Sequence, residues 1–469
     1  MIAILDIGKT NKKCFVFDED YRIVFEKTTQ LPETTDEGGD TCEDVNLLRQ
    51  WVERAVLDIL EDERWQIRAV NVTTYGASFV YLDAAGHLLT PLYNYLKPFP
   101  ENLKKQFSDT YGGEAKIARE TASPVLGNLN SGLQLYALKH LKPLVFNQIK
   151  YALHLPQYIS YLMHSVLHES GGDSKPPRDH ARTPNQSGGD FKSPPDYADH
   201  AVSEITSIGC HTMLWDFQNN DYHEWVKMEG MTEKFPPLVS ANVVSYPEQR
   251  PGIHCGAGLH DSSAALIPYL ACFDEPFVLI STGTWCISLN PFNQEPLTAE
   301  ELEKDCLCYM TYEGKPVKAA RYFGGNEHEK CIIGLARQFN KPLDYYKTVA
   351  YNEGLIAGFR NESAIRSSDV YPFEDYETAY HFVVAKIFKD QYHSTKLVLT
   401  KTTQRIFVDG GFSKNEIYMT LLAKAFPKLE VCAAEVAQAT ALGAAIAMHA
   451  RWNEKPLPQN LISLKKSKG

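Results

Sequence analysis

The sequence predicts a two-lobed α/β protein in which one strand-and-turn pattern is used twice. Its 469 residues are too many for one ordinary core. Each half also opens on an apolar strand that runs into a polar turn, Gly8-Lys9-Thr10-Asn11 in the first and Ser281-Thr282-Gly283-Thr284 in the second. Strand patterns then alternate with helical periodicities along the rest of the chain. A turn-rich approach, Pro236-Pro237 followed by Pro247-Glu248-Gln249-Arg250-Pro251-Gly252, sets the expected lobes at 1–250 and 251–469.

In the first half, strands are expected over 2–7, 13–17 and 22–27, a meander with a tight polar turn between its first two members. Val45, Leu48, Val52 and Val56 recur at helical spacing within 42–59. Short strands over 70–73 and 79–82 flank Thr74-Tyr75-Gly76-Ala77-Ser78, and Asp83-Ala84-Ala85-Gly86 closes a hairpin. Helices follow over 129–141 and 159–167, with Pro156 expected to break the pattern between them. From 170 to 201 the chain is rich in Gly, Ser, Pro, Asp and Lys and nearly free of aliphatic residues. Such a stretch cannot bury enough surface to offset its ordering entropy, so a mobile insert is expected.

The second half begins with Gly256-Ala257-Gly258-Leu259-His260-Asp261-Ser262-Ser263-Ala264-Ala265-Leu266, one carboxylate between a glycine turn and a small-residue helical run. The strand Phe277-Val278-Leu279-Ile280 ends in hydroxyls around Gly283, and another strand covers 286–289. Helices are expected over 326–338 and 373–389. Arg405-Ile406-Phe407-Val408 leads through Asp409-Gly410-Gly411 into a helix over 416–426. The alanine-dense segment 435–449, with Gly443, reads as one close-packed helix.

A formal charge of -11 disfavours a polyanionic partner such as nucleic acid. No apolar run approaches the roughly 20 residues of a membrane span, and the N-terminus enters a strand without a signal-peptide pattern, so a cytoplasmic enzyme is expected. The ten scattered cysteines read as reduced core thiols, and the close pair Cys306 and Cys308 has no zinc-spaced companion in the sequence.

Four segments suggest phosphoryl transfer, which needs a proton acceptor and a cradle for phosphates. Asp6 to Lys13 offers turn amides, a hydroxyl and ammonium groups, yet a charged hairpin turn would look the same. Ser281 to Trp285 offers hydroxyls and glycine-exposed amides. Asp409 to Asn415 places two glycines before a helix, as any strand-to-helix turn also does. Asp261 is a candidate base, or simply a helix N-cap.

In their order and spacing the four resemble the FGGY carbohydrate kinases, within the larger actin, hexokinase and Hsp70 group. His260-Asp261-Ser262-Ser263-Ala264 with Ser281-Thr282-Gly283-Thr284-Trp285 is most similar to the rhamnulokinase and fuculokinase branch. The resemblance covers nearly the whole chain apart from the insert. It implies a duplicated, ribonuclease H-like fold with the active site between lobes, ATP and Mg²⁺ as cofactors, and a small ketose, deoxyketose or polyol as partner.

The resemblance also implies roles. Asp261 would be the general base. Asp6 would hold the metal through water, and Gly8, Lys9, Thr10, Asn11 and Lys13 would face the phosphates. Thr282, Gly283 and Thr284 would line the phosphate path, with Gly410, Gly411 and Asn415 at the nucleotide. Tyr75, Gly76, Ser78, Asn94, Gln157, His211 and His260 would meet the sugar. Ser78 stands where the branch usually has a carboxylate, and Tyr93-Asn94-Tyr95-Leu96-Lys97 lacks an arginine common in relatives. The sugar is therefore less determined than the chemistry, and the alternatives are a kinase for xylulose, ribulose or glycerol, or a catalytically silent sugar or nucleotide sensor on the same scaffold.

Overall fold

The structure, a computed structural model, describes residues 1–168, 200–358 and 373–467. The expected insert at 170–201 therefore falls, but for His200 and Ala201, outside the described residues. Two mixed sheets form the two lobes, and their centres repeat one another. In the first, Ile2–Ile7, Lys12–Phe17 and Ile23–Thr29 form an antiparallel meander, and Ala69–Thr74 lies parallel on the other side of Ile2–Ile7. In the second, Phe277–Thr282, Cys286–Asn290 and Pro316–Tyr322 form the meander, and Arg405–Gly410 lies parallel beside Phe277–Thr282. In each lobe the first strand thus ends beside a parallel neighbour, where α/β sheets gather ligands.

The first sheet also takes in Val244–Ser245, His254–Gly256 and Leu259–His260. The boundary expected after Arg250 consequently falls between two strands of one sheet. Prolines and glycines mark turns, and here they mark a hairpin within the lobe rather than a linker between lobes.

Helix Val45–Leu60 starts three residues later than periodicity alone suggests. Asp44 caps it by accepting from the amides of Asn46 and Leu47 at 2.9 and 3.0 Å, and Thr41–Glu43 pairs as a short strand. Pro156 opens a helix rather than breaking one. It is the second residue of Leu155–His168, where the missing amide has no intrahelical acceptor to lose. The expected helix 435–449 begins later, at Ala439–Ala447, because Glu430–Glu435 pairs as a strand with Arg405–Gly410. Tyr376–Val398 runs well past the expected end at 389, with Asp375 capping its start. No helix among the described residues is long and apolar enough to cross a membrane.

The seam between lobes is made of small residues. Helix Asp261–Cys272 leaves the first sheet, helix Ala439–Ala447 leaves the second, and they pack together with Ile2, Ile4, Phe15 and Leu259 in one buried cluster. A Cβ on Gly443 would stand 1.9 Å from the carbonyl oxygen of Ala264, so only glycine permits this approach. Gly443→Ala must force the helices apart. It is expected to cost about 1–3 kcal/mol or more, read as a lowered thermal midpoint.

Candidate active site

The strand Ala69–Thr74 fixes the two aspartates that matter most. Asp6 registers against Thr73 from one side, and Leu259 registers against Thr73 from the other. Their backbones are therefore two strand spacings apart, roughly 10 Å, and Asp261 follows Leu259 by two residues. Asp261 is the first residue of its helix, and the N-cap is His260, which makes no side-chain capping bond. The Asp261 carboxylate is not used as a cap. Its Oδ1 accepts from the Ser262 amide at 2.6 Å and lies 3.3 Å from His260 Nε2, while Oδ2 accepts no hydrogen bond among the described residues.

Asp6 is half-buried and accepts from Thr440 Oγ1 at 2.8 Å, across the lobes. Burial pushes its pKa up to about 6, Thr440 opposes the rise, and the Asp261 charge adds to it. Asp6 and Lys13 line a cavity of about 570 Å³ together with Asp409, Gly410, Gly411 and Thr440. Burial raises the Asp409 carboxyl as well, and Tyr269 donates to it at 3.3 Å. Asp409 stands in the Asp-Gly-Gly turn that the sequence displays, but only the fold shows that it faces Asp6 across this cavity. Lys13 reaches Gln438 Oε1 at 3.1 Å, and Gln438 holds a left-handed backbone, φ +53°, at the head of helix Ala439–Ala447.

A second cavity of about 700 Å³ is lined by Thr282, Gly283, Gly411 and Asn415, joined by His328 and Tyr346. Gly411 borders both cavities, so they adjoin. Asn415 caps the helix Glu416–Ala425 and donates to Tyr380 at 2.7 Å, and His328 contacts the same hydroxyl at 3.0 Å. Burial pulls the His328 pKa down to about 4. His328 lies edge-on to Tyr346 and Phe412, each with ring centroids 5.1 Å away, so aromatic rings line this side of the cavity. Spacing gave no hint of His328 or Tyr346, since their helix and turn show only ordinary patterning.

Several expected residues are also engaged within the protein. Thr282 is buried, and its hydroxyl donates to the Asp409 carbonyl and accepts from the Phe412 amide at 3.0 Å, tying the two turns together. Gly410, at φ +78°, must be glycine because a Cβ would lie 2.0 Å from the Thr282 carbonyl oxygen. Thr284 is exposed, and its carbonyl accepts from the Asn326 amide. Gly8 donates its amide to the Asn11 carbonyl and Thr10 is exposed, while Lys9 pairs with Glu33 and Asn11 accepts from Gln30. None of Gly8 to Asn11 lines either cavity. Lys12 turns inward to the carbonyls of Gly8 and Lys9 and to Glu43, which also accepts from Tyr75 at 2.6 Å.

On the other side of Asp261, His211 and His260 are brought together as expected, and Tyr309 joins them from the second lobe. The His260 ring stacks on Tyr309 at 5.4 Å, and His211 lies edge-on to both. Gly76 fits against them, since a Cβ there would come within 2.7 Å of His260. Burial depresses the basicity of both histidines, helped at His211 by the Arg321 guanidinium and opposed at His260 by Asp261. Arg321 is itself buried, donating to Asp305 at 2.7 Å with its guanidinium 5.1 Å from the Trp285 ring centre. Ser78 is buried and its carbonyl accepts from the Leu155 amide. Asn94 is not gathered here, because it bonds the Thr41 carbonyl and the Leu96 amide of its own turn. Gln157 donates to the carbonyls of Ala257 and Gly258 and so positions the turn before Asp261.

Comparison with known proteins matches both lobes. The N-terminal domain of the FGGY family of carbohydrate kinases matches residues 1–170, and the FGGY carbohydrate kinase C-terminal domain matches residues 274–456. The chain belongs to the FGGY carbohydrate kinases.

A rhamnulokinase of Mannheimia succiniciproducens is 23% identical over 170 residues, 35% of this chain and 35% of that protein's length. Among solved structures, a carbohydrate kinase from Novosphingobium aromaticivorans superposes with TM-score 0.75 at 22% identity, covering 100% of this chain and 94% of that one. A ligand-bound xylulose kinase from Lactobacillus acidophilus gives 0.71 at 16% identity, covering 96% and 89%. Plasmodium falciparum glycerol kinase with ADP gives 0.69 at 15%, covering 96% and 90%. The expected two-lobed actin and hexokinase type of fold is the fold observed.

Proposed function

We propose that the protein transfers the γ-phosphoryl group of ATP to a terminal hydroxyl of a small sugar, a ketose or deoxyketose such as rhamnulose or fuculose. One observation carries this reading: Asp261 heads an interlobe helix with a carboxylate left unused by capping, across one strand from Asp6. The sugar oxygen attacks the γ-phosphorus, its proton passes to Asp261, and the bond to the β-bridging oxygen breaks to release ADP. Adenine lies against His328 and Tyr346 in the larger cavity, and the phosphates extend past Gly411 toward the head of helix Ala439–Ala447. The sugar meets Gly76, His211, His260 and Tyr309. Closure of the lobes excludes water, so that the sugar hydroxyl is the acceptor.

The donor set fits a hard dication. Carboxylates of Asp6 and Asp409 face one cavity, and both are held above the usual carboxylate range. Asp6, through water, and Asp409 would hold Mg²⁺, which when bound offsets the phosphate charge.

The test is ATP consumption over a panel of ketoses, deoxyketoses and polyols. Rhamnulose or fuculose is expected to stimulate turnover most. Preference for xylulose, ribulose or glycerol would keep the chemistry and replace the sugar. If no acceptor stimulates turnover, the sensor reading moves ahead of the kinase reading.

A further inference from the structure

We propose that Cys210, His211 and His260 form a binding site for a borderline-soft divalent cation of the zinc class, and that its occupancy arrests sugar phosphorylation. The second half of this statement rests on the kinase reading; the first does not. The Cys210 Sγ and one ring nitrogen from each histidine lie within 4.8 Å of one another, and all three residues are buried. Zinc bonds of about 2.0–2.3 Å place tetrahedral ligands roughly 3.3–3.6 Å apart, so closing on an ion needs a contraction of little more than about 1 Å.

A second observation points the same way. The Nδ1 atoms of His211 and His260 are both buried and have no hydrogen-bond partner among the described residues. One orphaned buried nitrogen costs about 1–3 kcal/mol unless a water or an ion meets it. Their rings are held by Tyr309 and by the close approach of Gly76, and the Cys210 thiol is oriented by the Ser207 carbonyl at 3.3 Å.

Charge is also matched. Arg321 is nearby, but it is paired with Asp305. Binding the ion would release the Cys210 proton to solvent, and the resulting thiolate with the carboxylates of Asp261 and Asp305 would balance that guanidinium and a dication. A thiolate and two imidazoles select zinc over magnesium or calcium, so this site is distinct in chemistry from the carboxylates of the nucleotide cleft. Three protein ligands leave a fourth position open. An ion here would fix His260, whose Nε2 lies 3.3 Å from Asp261 Oδ1, and would fill the sugar side of Asp261, where the acceptor hydroxyl must enter.

The experiment titrates metal-stripped full-length protein with Co²⁺, reading thiolate-to-cobalt charge transfer, and then with Zn²⁺, reading displacement of that band. Wild type is expected to show the band and to lose kinase turnover as Zn²⁺ is added. Cys210→Ser is expected to lose the band, to bind Zn²⁺ at least about a hundredfold more weakly, and to keep its turnover at the same Zn²⁺ concentration. Cys210→Ala, with thermal melting of both variants, guards against misfolding. The imidazole group His164, His168 and His200 contains no thiolate, so the band does not report it. No band in wild type, or an undiminished band in a folded Cys210 variant, overturns the site. Equal zinc inhibition of wild type and variant overturns the regulatory role. A protein that shows the band but phosphorylates no sugar refutes the kinase reading and leaves the site standing.

Discussion

Asp261→Asn is expected to lower sugar-dependent turnover by about 10² to 10⁴, the usual contribution of a general base. The amide keeps an Oδ1 acceptor for the Ser262 amide, so the start of helix Asp261–Cys272 should be preserved. What it loses is the ability to take a proton. Nucleotide affinity is expected to stay within about threefold, because the cavities that would hold ATP are lined by other residues. Stopped-flow turnover with parallel nucleotide titration separates the effects. Near-wild-type turnover would remove Asp261 from the mechanism.

Asp6→Asn should cost activity and add stability. Removing a carboxylate from the cavity proposed to hold the nucleotide is expected to reduce turnover by about 10²-fold or more, since charge neutralisation at transferring phosphates is the main catalytic term. The stability effect follows from the pKa. A carboxyl raised in the folded state from 3.8 to about 6 stabilises the protein below the unfolded value, and that contribution is lost as pH rises through 6. At pH 7 to 8 the ionised Asp6 is therefore a burden on the ligand-free protein. The two-unit shift corresponds to roughly 3 kcal/mol at most, and partial solvent access reduces this to about 1–3 kcal/mol. Asp6→Asn should raise the thermal midpoint by a few degrees at pH 7.5 without ligand, and the gain should shrink towards pH 4. A variant less stable than wild type at pH 7.5 would contradict this account of the cleft.

The first meander and the opening hairpin of the second were legible because apolar runs and polar turns are local signals, and Phe277–Thr282 and Arg405–Gly410 emerged where the pattern placed them, whereas Pro316–Tyr322, third strand of the second meander, was not anticipated. Segments whose fate depends on distant partners were not. The residues Glu430–Glu435 pair as a strand only because Arg405–Gly410 lies beside them. The same limit applied at the site. Motifs pointed to Asp6, Asp261 and Gly411, whose glycine and aspartate neighbours leave a local imprint. They gave no warning that Lys12 turns inward to Glu43, or that Asn94 is occupied in its own turn. Tyr309, Arg321, His328 and Tyr346 reach the site through tertiary packing alone, and a strand or helix carrying them looks like any other.

Phosphorus NMR of wild-type protein with Mg-ATP and the most stimulating sugar tests the central claim most directly. A new sugar phosphomonoester resonance growing in step with ADP is expected. Release of inorganic phosphate without a sugar phosphate, or no loss of ATP with any sugar, would contradict it.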